Sequence, residues 1–450
     1  MTAHKKLKER IRARMDKTGE SYMTARRQVV GGESQPSPQV GTHPDTSALA
    51  RILGDTGIGG PDGQLSEALL LGIGGGLGAG YILWEFAPGR DHRLSPHAPG
   101  GRRVVTIGFR NRWQYPDRWL DTLLDRVGVE FRRDQTSGMV KARRQLDDAV
   151  EMGHSVMVEL SVADLPYWHL PPEEAGEWGY PIAVVGVDSD RYEVDDRNAG
   201  RLTVPVEAMA TARGRIPSYR NRMVVVVPAD ALTADRLSGA VEAGLADAVD
   251  HLASRSDSFS LPAFSKWARM VTSDTGKGWK RVFADRVGLW GALRSTHEAV
   301  SDIGIAGGSL RPLYAEFLDE AGAFLGRPGL AEVAERYRRA GDAWDDVGDA
   351  TLPDGFEPLE QAVELSRRRR EAVRQGDDGD SAAADSAASL NAMAAEFEPG
   401  LPLTDREIDG LFESLAGAIE TAHRAELEAH AALSEVIRGD SHDATGGRPR

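Results

Sequence analysis

The glycine run Gly72-Ile73-Gly74-Gly75-Gly76-Leu77-Gly78-Ala79-Gly80 invites a chemical reading first, because glycine-rich turns can bring backbone amides close to a nucleotide phosphate. No Gly-Lys-Ser/Thr follows, so the phosphate-binding lysine of a P-loop is missing. The dinucleotide-type match, Gly74-x-Gly76-x-x-Ala79, follows a helical pattern where that fingerprint requires a strand. A tightly turned or mobile backbone lining a cleft is the expectation that remains. The eleven histidines are scattered, His92 and His97 lie near one another, and no His-Glu-x-x-His occurs, so no metal site is expected. No Gly-x-Ser-x-Gly elbow is present either. Asp45, Thr46 and Ser47 open a helix, where carboxylates and hydroxyls ordinarily serve as caps. Cysteine is absent altogether, which removes disulfides, thiolate metal sites and any thiol nucleophile.

The elements that must position these residues change character along the chain. From Val40 to about Pro228 the pattern is mixed: a helix after Thr46 through Leu49, Ile52 and Leu53, a strand over Arg103–Phe109, and a helix over Pro116–Val127 with Trp119, Leu120, Leu123 and Leu124 on one face. A short strand at Val129–Arg132, a helix at Lys141–Met152 and a strand at Ser155–Leu160 follow. A hairpin then pairs Ile182–Val187 with Tyr192–Asp195 across the turn Asp188-Ser189-Asp190. Val206–Arg213 reads as a helix and Met223–Val227 as a last strand. Mixed elements ending in adjacent strands predict an α+β class. Beyond Ala229 helical spacing takes over, at Leu232–Ser254, Lys280–Ser301, Leu310–Leu325, Leu330–Val347, Leu359–Arg374 and Thr404–Ile437. Thr404-Asp405-Arg406-Glu407 forms a capping box at the start of the last of these. Gly376–Ser389 is small, acidic and of low complexity, and is expected as a mobile loop.

At 450 residues the chain is long enough for two or three domains. Its net charge of −15 speaks against a nucleic-acid groove and favours solubility. The exception is residues 1–30, with nine Lys/Arg against three Asp/Glu, short basic helices at Lys5–Lys17 and through Ala25–Arg27, and no apolar segment following. This arm is expected to stay disordered or order on contact, with docking on a protein or a nucleic acid as alternatives, and the expected location is cytoplasmic. Ala68–Trp84 holds seventeen uncharged residues, but six glycines lie between Gly72 and Gly80. Each interior glycine costs a helix about 0.8–1.0 kcal/mol, so no membrane span is expected.

The run Gly41-Thr42-His43-Pro44-Asp45-Thr46-Ser47-Ala48-Leu49, the step Leu65-Ser66-Glu67-Ala68 and the glycine run ending in Gly80-Tyr81 together resemble the N-terminal domain of the butirosin-biosynthesis acyltransferase-like family. Ala183-Val184-Val185-Gly186-Val187-Asp188 and Val194-Asp195-Asp196-Arg197 resemble the strand pair of papain-like and peptidase-C39-like folds. Gly304-Ile305-Ala306-Gly307-Gly308-Ser309-Leu310-Arg311, leading into Leu313-Tyr314-Ala315-Glu316-Phe317-Leu318, resembles the helical domain that accompanies the first.

The resemblance implies a papain-like domain at 40–228 and an all-α domain at 229–438, flanked by an arm and linker at 1–39 and a disordered tail at 439–450. It further implies a thiolate at a helix N-terminus that takes an acyl group from a carrier thioester and passes it to an amine. Here Pro44 stands where the family has cysteine, and Tyr180 or Pro181 where its histidine enters the strand, leaving Asp195 or Asp196 for the third position. Two readings follow. One is acyl transfer without a covalent intermediate, with His43, Asp45 or Asp196 as base and helix amides holding the oxyanion. The other is a non-catalytic protein that binds a carrier, an acyl ligand or a biosynthetic partner. Thr46, Ser47, Glu67, Gly74, Gly75, Gly76, Tyr180, Arg311 and Tyr314 are the expected substrate contacts, around a cleft roofed by the glycine run and the Gly304–Arg311 segment. No cofactor is implied, the partners are an acyl carrier protein or a small-molecule amine acceptor, and a homodimer is expected.

Overall fold

A computed structural model describes residues 40–86, 102–177 and 179–446, together with Ala13 and Lys17. Apart from Ala13 and Lys17, the basic helices expected in the arm fall outside the described residues, as does the His92–His97 pair. The first half begins with α1 (Pro44–Thr56), the short strands β1 (Gly59–Gly60) and β2 (Gly63–Gln64), α2 (Glu67–Ile73), and the antiparallel pair β3 (Leu77–Phe86) and β4 (Arg102–Arg110). It continues through α3 (Pro116–Val127), β5 (Phe131–Asp134), α4 (Met139–Glu151), β6 (Val156–Ser161), β7 (Gly179–Asp188), β8 (Arg191–Asp195), β9 (Leu202–Pro205), α5 (Val206–Gly214) and β10 (Met223–Val226). The second half is helical among the described residues: α6 (Ala234–Leu252), α7 (Pro262–Thr272), α8 (Trp279–Val282), α9 (Leu289–Val300), α10 (Arg311–Leu325), α11 (Gly329–Asp349), α12 (Glu357–Arg374), α13 (Asp380–Phe397) and α14 (Asp405–Gly446).

Strands β5-β10-β6-β7-β8-β9 form one antiparallel six-stranded sheet. Its central strands β6, β7 and β10 are largely apolar on both faces, because helices cover both. Met157, Ala183, Val185, Val224 and Val226 enter the core that includes Ala48, Leu49, Ile52 and Leu53 of α1. Their strand neighbours Val156, Val158, Ile182, Val184, Met223 and Val225 point the other way, into a core with Leu146, Ala149 and Val150 of α4 and Met209 and Ala212 of α5. The pleat thus assigns Val156–Val158 of β6 and Ile182–Val185 of β7 alternately to the two cores, and places α1 over one face.

The pair β3–β4 stands apart from this sheet and packs among the helices of the second half. Tyr81 stacks on Trp267 at 5.3 Å and its hydroxyl accepts from Trp279 Nε1 at 2.8 Å. Gly75 (φ +102) and Gly76 (φ +65) turn the chain from α2 into β3, a backbone path that L side chains resist.

Several expectations are corrected here. The glycine run does not roof a cleft: Gly72 lies against the Phe317 ring, Gly74 against Trp119 and Gly76 against Tyr314. Residues 376–389 form no loop but a 3-10 turn and the start of α13, because alanine-rich sequence favours helix and Ala383 and Ala387 are buried. The single helix expected over 280–301 is two, α8 and α9, with Gly288 at φ +77 immediately before α9. The backbone of α14 runs to Gly446, beyond the expected boundary at 438. No helix among the described residues is long and apolar enough to cross a membrane.

Candidate functional site at the start of the first helix

Pro44 occupies the first turn of α1, where its fixed φ suits the helix and its missing N–H would have had no intrahelical acceptor. The residues around it are fastened by one carboxylate. Glu67, in the first turn of α2, accepts from the backbone N–H groups of Thr42 (2.8 Å) and His43 (2.6 Å) and from Thr46 Oγ1 (2.7 Å). Ser47 donates its backbone N–H to His43 O at 2.9 Å. The first-turn amides of Asp45 and Thr46 are those that helix geometry leaves without an intrahelical acceptor.

Within this frame His43 Nε2 lies 3.7 Å from Asp45 Oδ2, and Arg110 Nη2 approaches the same oxygen at 3.4 Å. Arg110, the last residue of β4, is buried with its guanidinium 4.4 Å above the Trp119 ring. Burial holds the His43 imidazole well below its ordinary pKa, and the neighbouring Arg110 and Arg197 cations lower it further. His43 is therefore neutral at physiological pH, and its Nδ1 makes no hydrogen bond.

A second carboxyl joins this group from the sheet. Glu159 of β6 pairs in register with Pro181 of β7, and Arg222 Nη1 lies 3.2 Å from Glu159 Oε1 and 3.1 Å from Oε2. Arg222 also pairs with Asp117 at the start of α3. Burial, followed by the nearby Asp45 charge, pushes the Glu159 carboxyl up to about 7, against the lowering influence of Arg133 and Arg110.

Asp196 and Tyr180 belong to a different, fully buried network. The Asp196 carboxylate accepts from Tyr167 Oη (3.0 Å), Trp168 Nε1 (2.9 Å) and Tyr180 Oη (2.6 Å), and pairs with Arg197 at 3.3 Å. Arg197 in turn donates to Thr42 O (3.0 Å) and Ile305 O (2.9 Å), so the network braces the chain leading into α1. Asp195 pairs with Arg51 at 3.5 Å. Gly307, at φ +80, has its α-carbon so close to Thr42 that a side chain would strike Thr42 O. The Gly304–Arg311 segment thus backs the entry to α1, as a wall of packed backbone.

The expected residues His43, Asp45, Thr46, Ser47 and Glu67 come together, although Thr46 and Glu67 spend their polar atoms on holding the backbone. The others do not join them. Arg311 is buried in an ion pair with Glu426, donates to Ser309 O and Gly78 O, and lies 4.8 Å from the Phe109 ring. Tyr314 is buried between Phe317 and Tyr337. Arg110, Glu159 and Arg222 belong to no motif in the sequence, and Arg197 enters only as the last residue of the Val194–Arg197 run. Glu159 did carry a signal: a lone carboxylate inside the apolar run Val156-Met157-Val158-Glu159-Leu160, where a charge needs a reason.

Residues 43–197 match the family model described as butirosin biosynthesis protein H, N-terminal, and residues 209–368 match a domain of unknown function, in that order. No curated protein matches the chain.

Proposed function

We propose that this chain, whose residues 43–197 carry the butirosin-type N-terminal domain of a biosynthetic, acyltransferase-like family, moves an acyl group from a carrier-protein thioester to an amine without an acyl-enzyme intermediate. The observation that carries this reading is the start of α1. Pro44 has replaced the nucleophile there, yet Asp45 is held beside Arg110 and His43 on a helix start braced by Glu67 and Arg197. A papain-like arrangement for the first half belongs to the same reading, supported by a helix N-terminus laid over the face of an antiparallel sheet.

A thioester is already activated, so positioning an amine beside it removes much of the barrier that a covalent route would otherwise divide. The acceptor ammonium is drawn to the carboxylate side of the site. The first-turn amides of α1 and the Arg110 guanidinium are donors for charge that develops on the carbonyl oxygen. The ammonium first gives one proton to solvent; the neutral amine then forms the N–C bond, the C–S bond breaks, and the second proton lost by the nitrogen leaves with the carrier thiol.

One observation favours the alternative of a binding protein without chemistry: His43 and Asp45 are only 7% and 9% exposed. Incubating the full chain with aminoacyl N-acetylcysteamine thioesters and a panel of aminoglycoside amines separates the two. Amide product by mass spectrometry, no covalent adduct on the intact protein, and a loss of about 10²-fold or more in Asp45→Asn are expected for transfer. Saturable binding with no amide from any amine would leave the binding role alone.

A further inference from the structure

We propose that Glu159 is the general base of this site, placed where the family's strand-borne histidine is missing and reached from the neighbouring strand instead. The inference rests on the transfer reading above. It begins with the register: β6 and β7 pair Glu159 directly with Pro181, and directly opposed residues in an antiparallel pair share a face. That face is also the face of Met157 and Ala183, two residues along each strand, which lie in the core beneath α1. The Glu159 side chain therefore leaves the sheet on the side that carries α1. Asp45 and Arg110, at the start of α1 and the end of β4, act on it electrostatically. Of the two positions that the resemblance leaves for that histidine, Tyr180 faces the Asp196 network on the other side of the sheet and Pro181 has nothing to titrate, so on the α1 side the cross-strand partner of Pro181 serves instead.

The other carboxylates and the histidine are poorly suited to the task. Asp196 receives donors from two tyrosines, a tryptophan and an arginine, which leaves it nothing to abstract a proton with. His43 is buried beside two cations that oppose its protonation. Among the described residues Glu159 meets a single cation, with Arg222 Nη1 3.2 Å from Oε1 and 3.1 Å from Oε2, where Asp196 is saturated by four donors. The charged and titratable groups facing it are Asp45 from α1, Arg110 from β4, Arg133 from β5, and Tyr219 and Arg222 from the segment before β10. A carboxyl that ionises near neutrality in such a setting can take a proton and give it up again.

The step balances. As the acceptor nitrogen bonds to the thioester carbonyl carbon, its proton passes to the Glu159 carboxylate. As the C–S bond breaks, that proton goes to the departing thiolate, directly or through water, and the carboxylate is restored.

The test uses the full chain with an aminoacyl N-acetylcysteamine thioester and an aminoglycoside amine. Wild-type kcat/KM should rise with pH up to about 7 and level off above it, since the base must be ionised. Glu159→Gln should lose about 10²–10³-fold and also lose that limb, while Glu159→Asp should recover part of both. A purely structural role for Glu159 would lower the rate without flattening the profile. Should Glu159→Gln keep the wild-type rate and limb while Asp45→Asn still abolishes turnover, the base assignment falls and the transfer reading stands. Should the wild type form no amide at all, both fall. Carbon-13 NMR of glutamate-labelled protein gives a check that needs no turnover: a carboxyl titrating near 7, and absent in Glu159→Gln, is expected, and its absence from the wild type overturns the assignment.

Discussion

Glu67 shows how much one carboxylate can do when it faces a helix start. It accepts two backbone N–H groups and a threonine hydroxyl, all within 2.8 Å, at a point where Pro44 contributes no donor of its own. Hydrogen bonds to a charged acceptor are worth about 1.5–3 kcal/mol each, and losing several at once is not additive. Glu67→Ala should therefore destabilise the fold by about 2–4 kcal/mol in urea denaturation. Glu67→Gln, which keeps an acceptor, should lose less. Glu159 makes the opposite kind of contribution. Its folded carboxyl titrates at about 7, above the ordinary 4.5, so the folded state binds its proton more tightly than the unfolded state does. That stabilisation is complete below about 4.5 and is lost as pH rises through about 7. Replacing Glu159 by glutamine should remove this part of the pH dependence, about 3 kcal/mol if the whole shift is realised, and thermal melts from pH 4 to pH 8.5 would show it as a shallower decline.

At the scale of elements, the glycine run owes its place to close approach. Gly244 of α6 sits so near α2 that a methyl group there would lie 2.2 Å from Gly72 O, and a methyl on Gly72 would meet the Phe317 ring at the same distance. Backbone against backbone cannot yield as a side-chain end can. Gly244→Ala should cost about 1–3 kcal/mol, read from the denaturation midpoint, although alanine is the better helix former. A loss of stability smaller than that of a surface substitution would mean that α2 and α6 do not cross this closely. The capping box at Thr404 was legible as a four-residue pattern, and its reciprocal bonds are present: Glu407 N to Thr404 Oγ1 at 3.3 Å and Thr404 N to the Glu407 carboxylate at 2.6 Å. At residues 376–389 the small, acidic composition resembles a loop, whereas the chain there is helical. What composition leaves out is that Ala383 and Ala387, four residues apart on α13, are buried, Ala383 in a core with Ala372 and Val373 of α12 and Trp168.

At the scale of the molecule, the two halves share one core. The β3–β4 pair is the connection, with Arg311 as its tie. This arginine reaches Gly78 O on β3 and Glu426 on α14, and Glu426 also accepts from Trp344 Nε1 at 2.6 Å. Both side chains of the ion pair are fully buried. Removing one charge strands the other, so Glu426→Ala should destabilise by about 3–5 kcal/mol. The double replacement Arg311→Met, Glu426→Leu should recover part of that loss, because no lone charge is left behind. Calorimetry of the single and double variants tests this, and equal losses would show that the carbonyl contacts of Arg311 outweigh its charge.

Local periodicity in the sequence determined many of the elements, though not all of them. The helix over Pro116–Val127, the hairpin of β7 and β8, most of the helical second half and a helix opened by Asp45, Thr46 and Ser47 follow from apolar spacing, proline and caps, all of which act within a few residues. The resemblance also brought His43, Asp45 and Glu67 into one group. Only the tertiary structure decided what those residues face. Sheet register placed Glu159 across from Pro181, and long-range packing brought Arg110 and Arg222 to the same carboxylates. Packing also sent Arg311 and Tyr314 into the core and Asp196 into a network of its own. Register and burial depend on partners separated by tens to hundreds of residues, and a single sequence carries no local mark of which partner each side chain will meet.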